Sequence, residues 1–210
     1  NPATMEFGYG LFKASQADGC QNNTIQNCVI TLNKNNNAAG GTLAVDGSRG
    51  IDVVNALSGA HITVVTVTVS SGSNSNNKFY GNTIQNCNTG IALIGFAAAS
   101  PFTLADTDND IGGTSSLTGN TIINFGGGGA PTANPAAAVR TLAQYNINVS
   151  FNTINNNNGS GVNHTSTLRG IYLNTATSAN ATVNNNILTI KGGTTTAQIS
   201  VIENVSGATA

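Results

Sequence analysis

The sequence predicts one all-β domain, residues 1–210, folded as a right-handed parallel β-helix of about five to six coils with long loops on one side. Three observations lead to this prediction. A short motif recurs along the chain, apolar and polar residues alternate beside each copy, and the composition is poor in helix formers. Recurrence at intervals of about 20–50 residues is typical of solenoids, propellers and repeat arrays.

The recurring motif is clearest at residues 81–87, which read Gly-Asn-Thr-Ile-Gln-Asn-Cys. Counted from its first asparagine, the copies begin at Asn23, Asn82, Asn120, Asn152 and, more loosely, Asn185. The intervals between successive copies are 59, 38, 32 and 33 residues. Each copy carries the period-two alternation of a half-buried strand.

A second phrase alternates with this motif and places a glycine before another short strand. It begins at Gly10, Gly50, Gly90 and Gly170, and residues 138–142 take the same place without a glycine. The strands lack the two-residue turn signals that hairpins require. A chain that returns to the same point on every turn explains both the alternation of the two phrases and the lack of hairpin turns. Successive coils would then stack about 4.8 Å apart in parallel sheets.

Stacking in register predicts two columns of asparagine and an apolar interior. Asparagine tolerates the left-handed conformation needed at a tight bend, and stacked amides can hydrogen-bond along the axis. One column contains Asn23, Asn82, Asn120 and Asn152. The other contains Asn27, Asn86, Asn124 and Asn156. The predicted inward-facing residues are Ile25, Ile84, Ile122, Ile154, Cys28 and Cys87.

The cysteines leave two interpretations open. Cys28 and Cys87 each end a copy of the motif, so as stacked neighbours they would lie within the Cα separation of a disulfide. Two buried free thiols are the alternative. Cys20 has no equivalent in another repeat.

Composition excludes several classes of protein. Charged residues make up 7% of the chain, against about 25% in an average soluble domain. The net charge of −1 and the 39% of hydrophobic residues favour a folded chain over a disordered one. The seven Lys and Arg are scattered, which argues against a nucleic-acid partner, and the longest apolar runs are too short for a membrane span.

The segments between the motifs differ most from one repeat to the next. They cover residues 33–48, 69–78, 95–117, 126–138 and 159–168 and are rich in Gly, Ser, Thr, Ala and Asn. We expect them to leave comparable points of the coil, and therefore one side of the solenoid. Insertions on one face of a repeat protein often form its binding face.

One acidic segment could carry chemistry. Asp106, Asp108 and Asp110 alternate along the chain, as carboxylates that wrap Ca²⁺ can do, which makes them a weak calcium candidate. The twelve-residue calcium-loop pattern is incomplete, so a solvated loop tip is the alternative. As general acids and bases, the three together with Arg140 would have to flank a groove.

The remaining polar candidates have simpler interpretations. Arg49 and Arg169 precede equivalent Gly-Ile pairs and could contact an acidic polysaccharide, or pair with a nearby carboxylate. His61 and His164 are expected to be structural or solvated. The threonines of residues 63–68 lack matching copies and do not form an ice-binding ladder.

The two alternating phrases, with residues 110–114 (Asp-Ile-Gly-Gly-Thr), resemble the right-handed parallel β-helix domains of very large bacterial surface proteins, especially those exported by type IX secretion. The resemblance covers about residues 9–191. It implies display on the bacterial cell surface and adhesive contact rather than a reaction. We expect the variable loops to contact surface glycans or other surfaces.

The sequence lacks the motifs of two known groups of β-helical enzymes. The Asn-Thr-Asp, Asp-Asp, Gly-His-Gly and Arg-Ile-Lys elements of polygalacturonases are absent, and the chain has no Trp for a pectate-lyase signature. We therefore expect a non-enzymatic extracellular segment that needs no cofactor. The alternatives are a carbohydrate-active enzyme and a self-assembling filament subunit. The chain begins in repeat material, so we expect its coils to continue in a longer parent chain or in copies stacked end to end.

Overall fold

The computed structural model describes residues 7–33, 47–60, 63–126, 135–157, 164–174, 180–193 and 197–206. Within these residues the chain is built from short strands, and every strand pairing is parallel. One single-turn 3₁₀ helix, Ser70–Gly72, interrupts them. The all-β parallel solenoid predicted from the sequence is confirmed, whereas its handedness and number of coils stay predictions.

The first sheet has six strands in the spatial order β1-β4-β7-β11-β15-β18. With strands numbered along the chain, these are Phe7–Lys13, Arg49–Leu57, Thr89–Ile94, Ala136–Leu142, Leu168–Asn174 and Ile199–Asn204. Neighbours in the sheet follow one another in the chain at intervals of one coil. This is the order expected when each turn lies directly on the previous one.

Two further sheets have five strands each. The second sheet contains β2 (Thr24–Gln26), β5 (Lys78–Tyr80), β9 (Asp110–Ile111), β13 (Ile147–Ser150) and β16 (Ala181–Asn184). The third contains β3 (Val29–Thr31), β6 (Thr83–Cys87), β10 (Thr121–Phe125), β14 (Thr153–Asn155) and β17 (Ile187–Thr189). A two-stranded sheet pairs β8 (Asp106–Thr107) with β12 (Gln144–Tyr145). The chain visits the first, second and third sheets in turn and then returns to the first.

The core lies between the three large sheets and is made of columns of apolar side chains. In the third sheet Ile30, Ile84, Ile122, Ile154 and Leu188 occupy one register position. In the second sheet the column is Ile25, Phe79, Ile111, Val149 and Val183. Ile84, Ile122 and Ile154 are fully buried, and Ile25 is buried in the same core from the column of the second sheet.

Buried asparagines form a hydrogen-bonded ladder at the start of the third sheet. Asn82 donates its side-chain Nδ2 to Oδ1 of Asn120 at 3.0 Å, and Asn120 donates to Asn152 at 2.9 Å. Asn152 donates in turn to Asn186 at 3.0 Å. Each Oδ1 also accepts the backbone N–H of the preceding asparagine. The fourth member of this ladder is Asn186, not the loosely matched Asn185, because Thr153 pairs with Ile187.

Asn23 belongs to a second ladder, at the start of the second sheet. It donates to Oδ1 of Asn77 at 2.9 Å, and Asn77 donates to Asn109 at 3.1 Å. The predicted stacking of Asn23 on Asn82 was therefore wrong. The backbone N–H of Cys28 donates to Oδ1 of Asn82 instead, so Cys28 takes the place below it.

The other predicted asparagine column is only partly assembled. Asn86 and Asn124 stack, with Nδ2 of Asn124 donating to Oδ1 of Asn86 at 2.6 Å, and both have the expected positive φ, 58° and 50°. Asn27 was wrongly assigned, since it faces Gly81 at the corner between the second and third sheets. Asn156 is fully buried and bonds both the N–H and the carbonyl oxygen of Lys191, so it does not extend the column.

The glycine phrase marks a close approach between coils. A Cβ on Gly90 would lie 2.5 Å from the carbonyl oxygen of Ala138 and 2.6 Å from Cγ2 of Ile122. Gly50 and Gly90 share this register, but Gly10 pairs with Asp52, so the predicted equivalence of Gly10 was wrong.

The long connections leave the solenoid at different corners. Two long connections follow strands of the first sheet: residues 58–77 lead to β5 of the second sheet, and residues 95–105 lead to β8. The second sheet is joined to the third by residues 112–120. The chain returns from the third sheet to the first through residues 126–135 and 156–167. The prediction that all long loops lie on one side was wrong. Residues 34–46, between β3 and β4, lie outside the described part of the chain, as do residues 61–62, 127–134 and 158–163 of these loops.

No helix in the described residues is long and apolar enough to cross a membrane.

Candidate functional site

The three aspartates of the acidic segment are held apart by separate partners. Asp106 is fully buried and accepts the N–H of Asn74 at 2.8 Å. Asp108 accepts the hydroxyl of Thr107 at 2.8 Å and the side-chain amide of Asn146. Their carboxylates therefore do not surround a common point.

Asp110 is held by three donors of its own: the Tyr80 hydroxyl at 2.5 Å, the Gly113 N–H at 2.9 Å and the Asn148 amide at 2.7 Å. Among the described residues there is no group of three His, Cys, Asp or Glu that could hold a metal ion. The calcium candidate was wrong, because the three carboxylates are bonded to separate partners in neighbouring coils. The solvated loop tip was wrong for buried Asp106 and half-buried Asp110, whereas Asp108 is exposed.

The buried partner of Asp106 is Lys13, at the end of β1. Lys13 is 2% exposed, and its Nζ lies 3.9 Å from Oδ1 of Asp106 and donates to the carbonyl oxygen of Gly72 at 2.5 Å. The pair links the first and third coils across the second. Gln144 contacts the other carboxylate oxygen, at 3.4 Å.

Burial shifts both titrating groups of this pair towards their neutral forms. The pKa of Asp106 is raised to about 6 by burial, against the stabilising effects of Lys13 and of the hydrogen bonds from Asn74 and Gln144. The pKa of Lys13 is lowered by burial, and the nearby Asp106 opposes that shift. Removing one partner of such a buried ion pair strongly destabilises the fold, whereas replacing both partners by apolar side chains of similar volume changes the stability little.

Two further ion pairs of the described residues lie on the first sheet. Arg49, 1% exposed, pairs with Asp52 at 2.7 Å. Arg169 makes two bonds to Glu203, at 2.6 and 3.2 Å, and lies 4.1 Å from the ring centre of Tyr172. The hydrogen bond from Arg169 lowers the pKa of Glu203.

Arg49 and Arg169 occupy the same register position, through Thr89 and Ala137. Both are paired with carboxylates of the chain. Arg140 lines a small pocket with Arg169 and Tyr172, in which no aspartate takes part. The predicted groove between Asp106, Asp108, Asp110 and Arg140 therefore does not form.

The cysteines are free thiols in the described structure. Cys87 is fully buried and pairs in register with Phe125, whereas Cys28 is half-buried near the hydroxyl of Tyr9. The predicted common register of Cys28 and Cys87 was wrong, and with it the disulfide alternative. The Cys20 thiol donates to the carbonyl oxygen of Phe12 at 2.9 Å, and burial raises its pKa.

Of the two histidines, His164 lies in the described part of the chain. His164 is buried, with Nε2 3.1 Å from the carbonyl oxygen of Thr167, which fits a structural role. His61 lies outside the described residues.

An open groove of about 300 Å³ lies at the corner that precedes the second sheet. We call it the corner groove. Its lining consists of amide and hydroxyl side chains with one alanine: Gln21, Ser70, Ser71, Ser73, Ser75, Asn76, Thr103, Ala105 and Thr107. Every side chain in the lining except that of Ala105 can make hydrogen bonds.

Sequence reasoning missed both the corner groove and Lys13. The groove is assembled from three coils whose loops share no motif, so no local pattern could have revealed it. The sequence did contain a signal for Lys13, because it lies at the end of a strand in a chain with few charges. A lysine that faces inward there needs a buried carboxylate as its partner.

No protein-family model matches the chain, and no match was found among curated proteins or solved structures.

Proposed function

We propose that the chain is a non-enzymatic structural and adhesive segment of an extracellular bacterial surface protein, built as a right-handed parallel β-helix. The observation that carries the proposal is the pair of asparagine ladders, which join consecutive coils by side-chain hydrogen bonds. Ladders of this kind make a stiff rod whose length grows with coil number. Loops of unequal length at its corners are free to vary without disturbing the stack.

The arrangement of polar groups supports contact rather than reaction. The carboxylates of Asp106, Asp108 and Asp110 are bound by separate donors within the stack. Paired carboxylates of glycoside hydrolases instead face one another across a substrate. The corner groove offers neutral hydrogen-bonding groups to a polyol without a neighbouring acid–base pair.

Sedimentation with insoluble polysaccharides and with whole bacterial cells tests the proposal. We expect the purified chain to sediment with at least one of these surfaces and to release no product from pectin, alginate or chondroitin. The Asp108→Asn variant is expected to behave like the original chain. Turnover that this substitution abolishes would show a carbohydrate-active enzyme, and failure to bind any surface would contradict the adhesive role.

A self-assembling filament subunit is a second candidate, favoured by the two ends of the stack. Edge strands with exposed apolar side chains invite pairing with another chain. At one end Val29 is 75% exposed, and at the other Ile187 is 67% and Val201 48% exposed. Both ends are parallel edges, so one end of a copy can extend the sheets of the next.

Light scattering over a range of protein concentrations tests the filament. If copies stack, the mass should rise in multiples of the 21.2 kDa chain. Val201→Lys should abolish the rise by placing a charge at the junction. Leu117→Lys is the matched control, because Leu117 is 90% exposed on a loop away from both ends. A concentration-independent mass of one chain would exclude self-assembly.

A further inference from the structure

The corner groove is built on a rigid floor of stacked coils. The N–H of Asn76 donates to the carbonyl oxygen of Thr107 at 2.9 Å, and the N–H of Thr107 donates to the hydroxyl of Ser75 at 3.0 Å. Gln21, from the preceding coil, donates to the hydroxyl of Ser73 at 3.0 Å. Three consecutive coils are thus bonded directly beneath the groove, so little ordering is needed when a ligand binds.

Two side chains on this floor and wall have unused hydrogen-bonding capacity. The carboxamide of Asn76 and the hydroxyl of Thr103 are exposed and bond to none of the described residues. Asn76 has φ 59°, so the corner itself fixes the direction of its side chain. A carboxamide supplies two donors and an acceptor, and a hydroxyl supplies one donor and two acceptors.

The charges around the groove favour a neutral ligand. None of the lining residues is charged. Two exposed carboxylates flank the groove. Asp108 accepts the hydroxyl of the lining residue Thr107. Asp18 lies between Ala17 and Gly19, which both bond to the lining residue Ser71. Asp106 lies buried between the lining residues Ala105 and Thr107, paired with Lys13. An anionic ligand would meet Asp108 without a compensating cation in the lining, since Lys13 is buried and already paired.

We propose that the corner groove binds a neutral oligosaccharide, whose hydroxyls replace water on Asn76 and Thr103. This inference rests on the adhesive role proposed above and assigns that role a site and a class of ligand. Sugar hydroxyls both donate and accept, which matches amide and hydroxyl partners. A volume of about 300 Å³ is at the lower end of the range for ligand sites, which suits a short stretch of a glycan chain.

A pair of asparagine-to-glycine variants isolates the groove. Asn76→Gly removes the carboxamide while keeping the left-handed backbone, which glycine adopts freely. Asn22→Gly is the matched control: Asn22 has φ 58° in the preceding coil and is exposed, but it does not line the groove. Thr103→Val removes the hydroxyl with little change in shape.

Binding is measured by saturation-transfer NMR and calorimetry with tetrasaccharides of glucose, mannose and galactose, and with an alginate tetrasaccharide. We expect at least one neutral tetrasaccharide to bind and the alginate not to bind. Asn76→Gly should weaken that binding about tenfold through the loss of two hydrogen bonds, Thr103→Val should weaken it less, and Asn22→Gly should leave it unchanged.

Three results would overturn the inference: no neutral tetrasaccharide binds, alginate binds more tightly, or the two glycine variants bind alike. If the chain still sediments with surfaces in any of these cases, the groove assignment fails and the adhesive role stands. If the chain sediments with no surface although a tetrasaccharide binds through Asn76, the groove assignment stands and the adhesive role fails.

Discussion

Lys13→Met is expected to lower the free energy of unfolding substantially, and Asp106→Asn by about 3–5 kcal/mol, because each leaves a buried polar group without its partner. The loss for Lys13→Met should be the smaller one, since Asp106 can take up a proton when the lysine is gone. The double variant should recover most of the loss. Urea denaturation followed by circular dichroism measures all four proteins, and additive losses would contradict the coupling of the two side chains.

The pH dependence of the same free energy is the control for this interpretation. A carboxyl whose pKa is raised in the folded state stabilises the fold fully below its unfolded value of about 3.9. That contribution is lost as the pH rises through the folded value of about 6. The original chain should therefore become less stable between about pH 4 and 6, and Asp106→Asn should lack this slope. An equal slope in both proteins would show that Asp106 is not the titrating group.

The architecture was predictable because one physical requirement repeats in every coil. Each strand needs an inward apolar residue, and each bend before it needs a buried amide that bonds the next coil. Asn82, Asn120 and Asn152, followed by Ile84, Ile122 and Ile154, show this pattern directly in the sequence. In such a stack the tertiary contacts agree with the local sequence pattern, because each residue packs against the residue at the same position in the next coil.

The register of the first coil was not predictable from motif likeness, because the asparagine motif serves two sheets. Residues 23–25 begin the second sheet, whereas the later copies at Asn82 and Asn120 begin the third. The interval of 59 residues between Asn23 and Asn82 was the available signal, since the true pairings across these two coils are 54 residues apart. Asn77 and Asn82, five residues apart, show that a single coil can carry a ladder asparagine at both positions.

The candidate site was harder to predict than the scaffold, for a different reason. Lys13, Asp106 and the corner groove depend on contacts between coils whose intervening loops differ in length and composition. The groove joins Gln21, Asn76 and Thr103, which come from three coils and share no local pattern. Each ladder residue can be recognised from its own place in the repeat. The groove forms only when loops from several coils are stacked beside one another.

Asn120→Ala is expected to lower the free energy of unfolding by about 3 kcal/mol or more, since it breaks the ladder at a fully buried position. Oδ1 of Asn120 accepts both the backbone N–H and the side-chain amide of Asn82, each at 3.0 Å. After the substitution that backbone N–H is buried without an acceptor. Asn120 also donates to Asn152 and to the carbonyl oxygen of Phe79, so the bonds on both sides are lost together.

Asn23→Ala is the matched control for this loss, because it removes the same side chain from the exposed end of the other ladder. Asn23 donates to Asn77 at 2.9 Å, but Asn77 keeps its bonds to Asn109 and to Cys20. No buried group is orphaned, and we expect a loss of less than about 1 kcal/mol. Urea denaturation of the two variants measures the difference directly. Equal losses would mean that the amides only fill space, whereas a much larger loss at Asn120 would show that satisfying buried backbone groups is what fixes one coil upon the next.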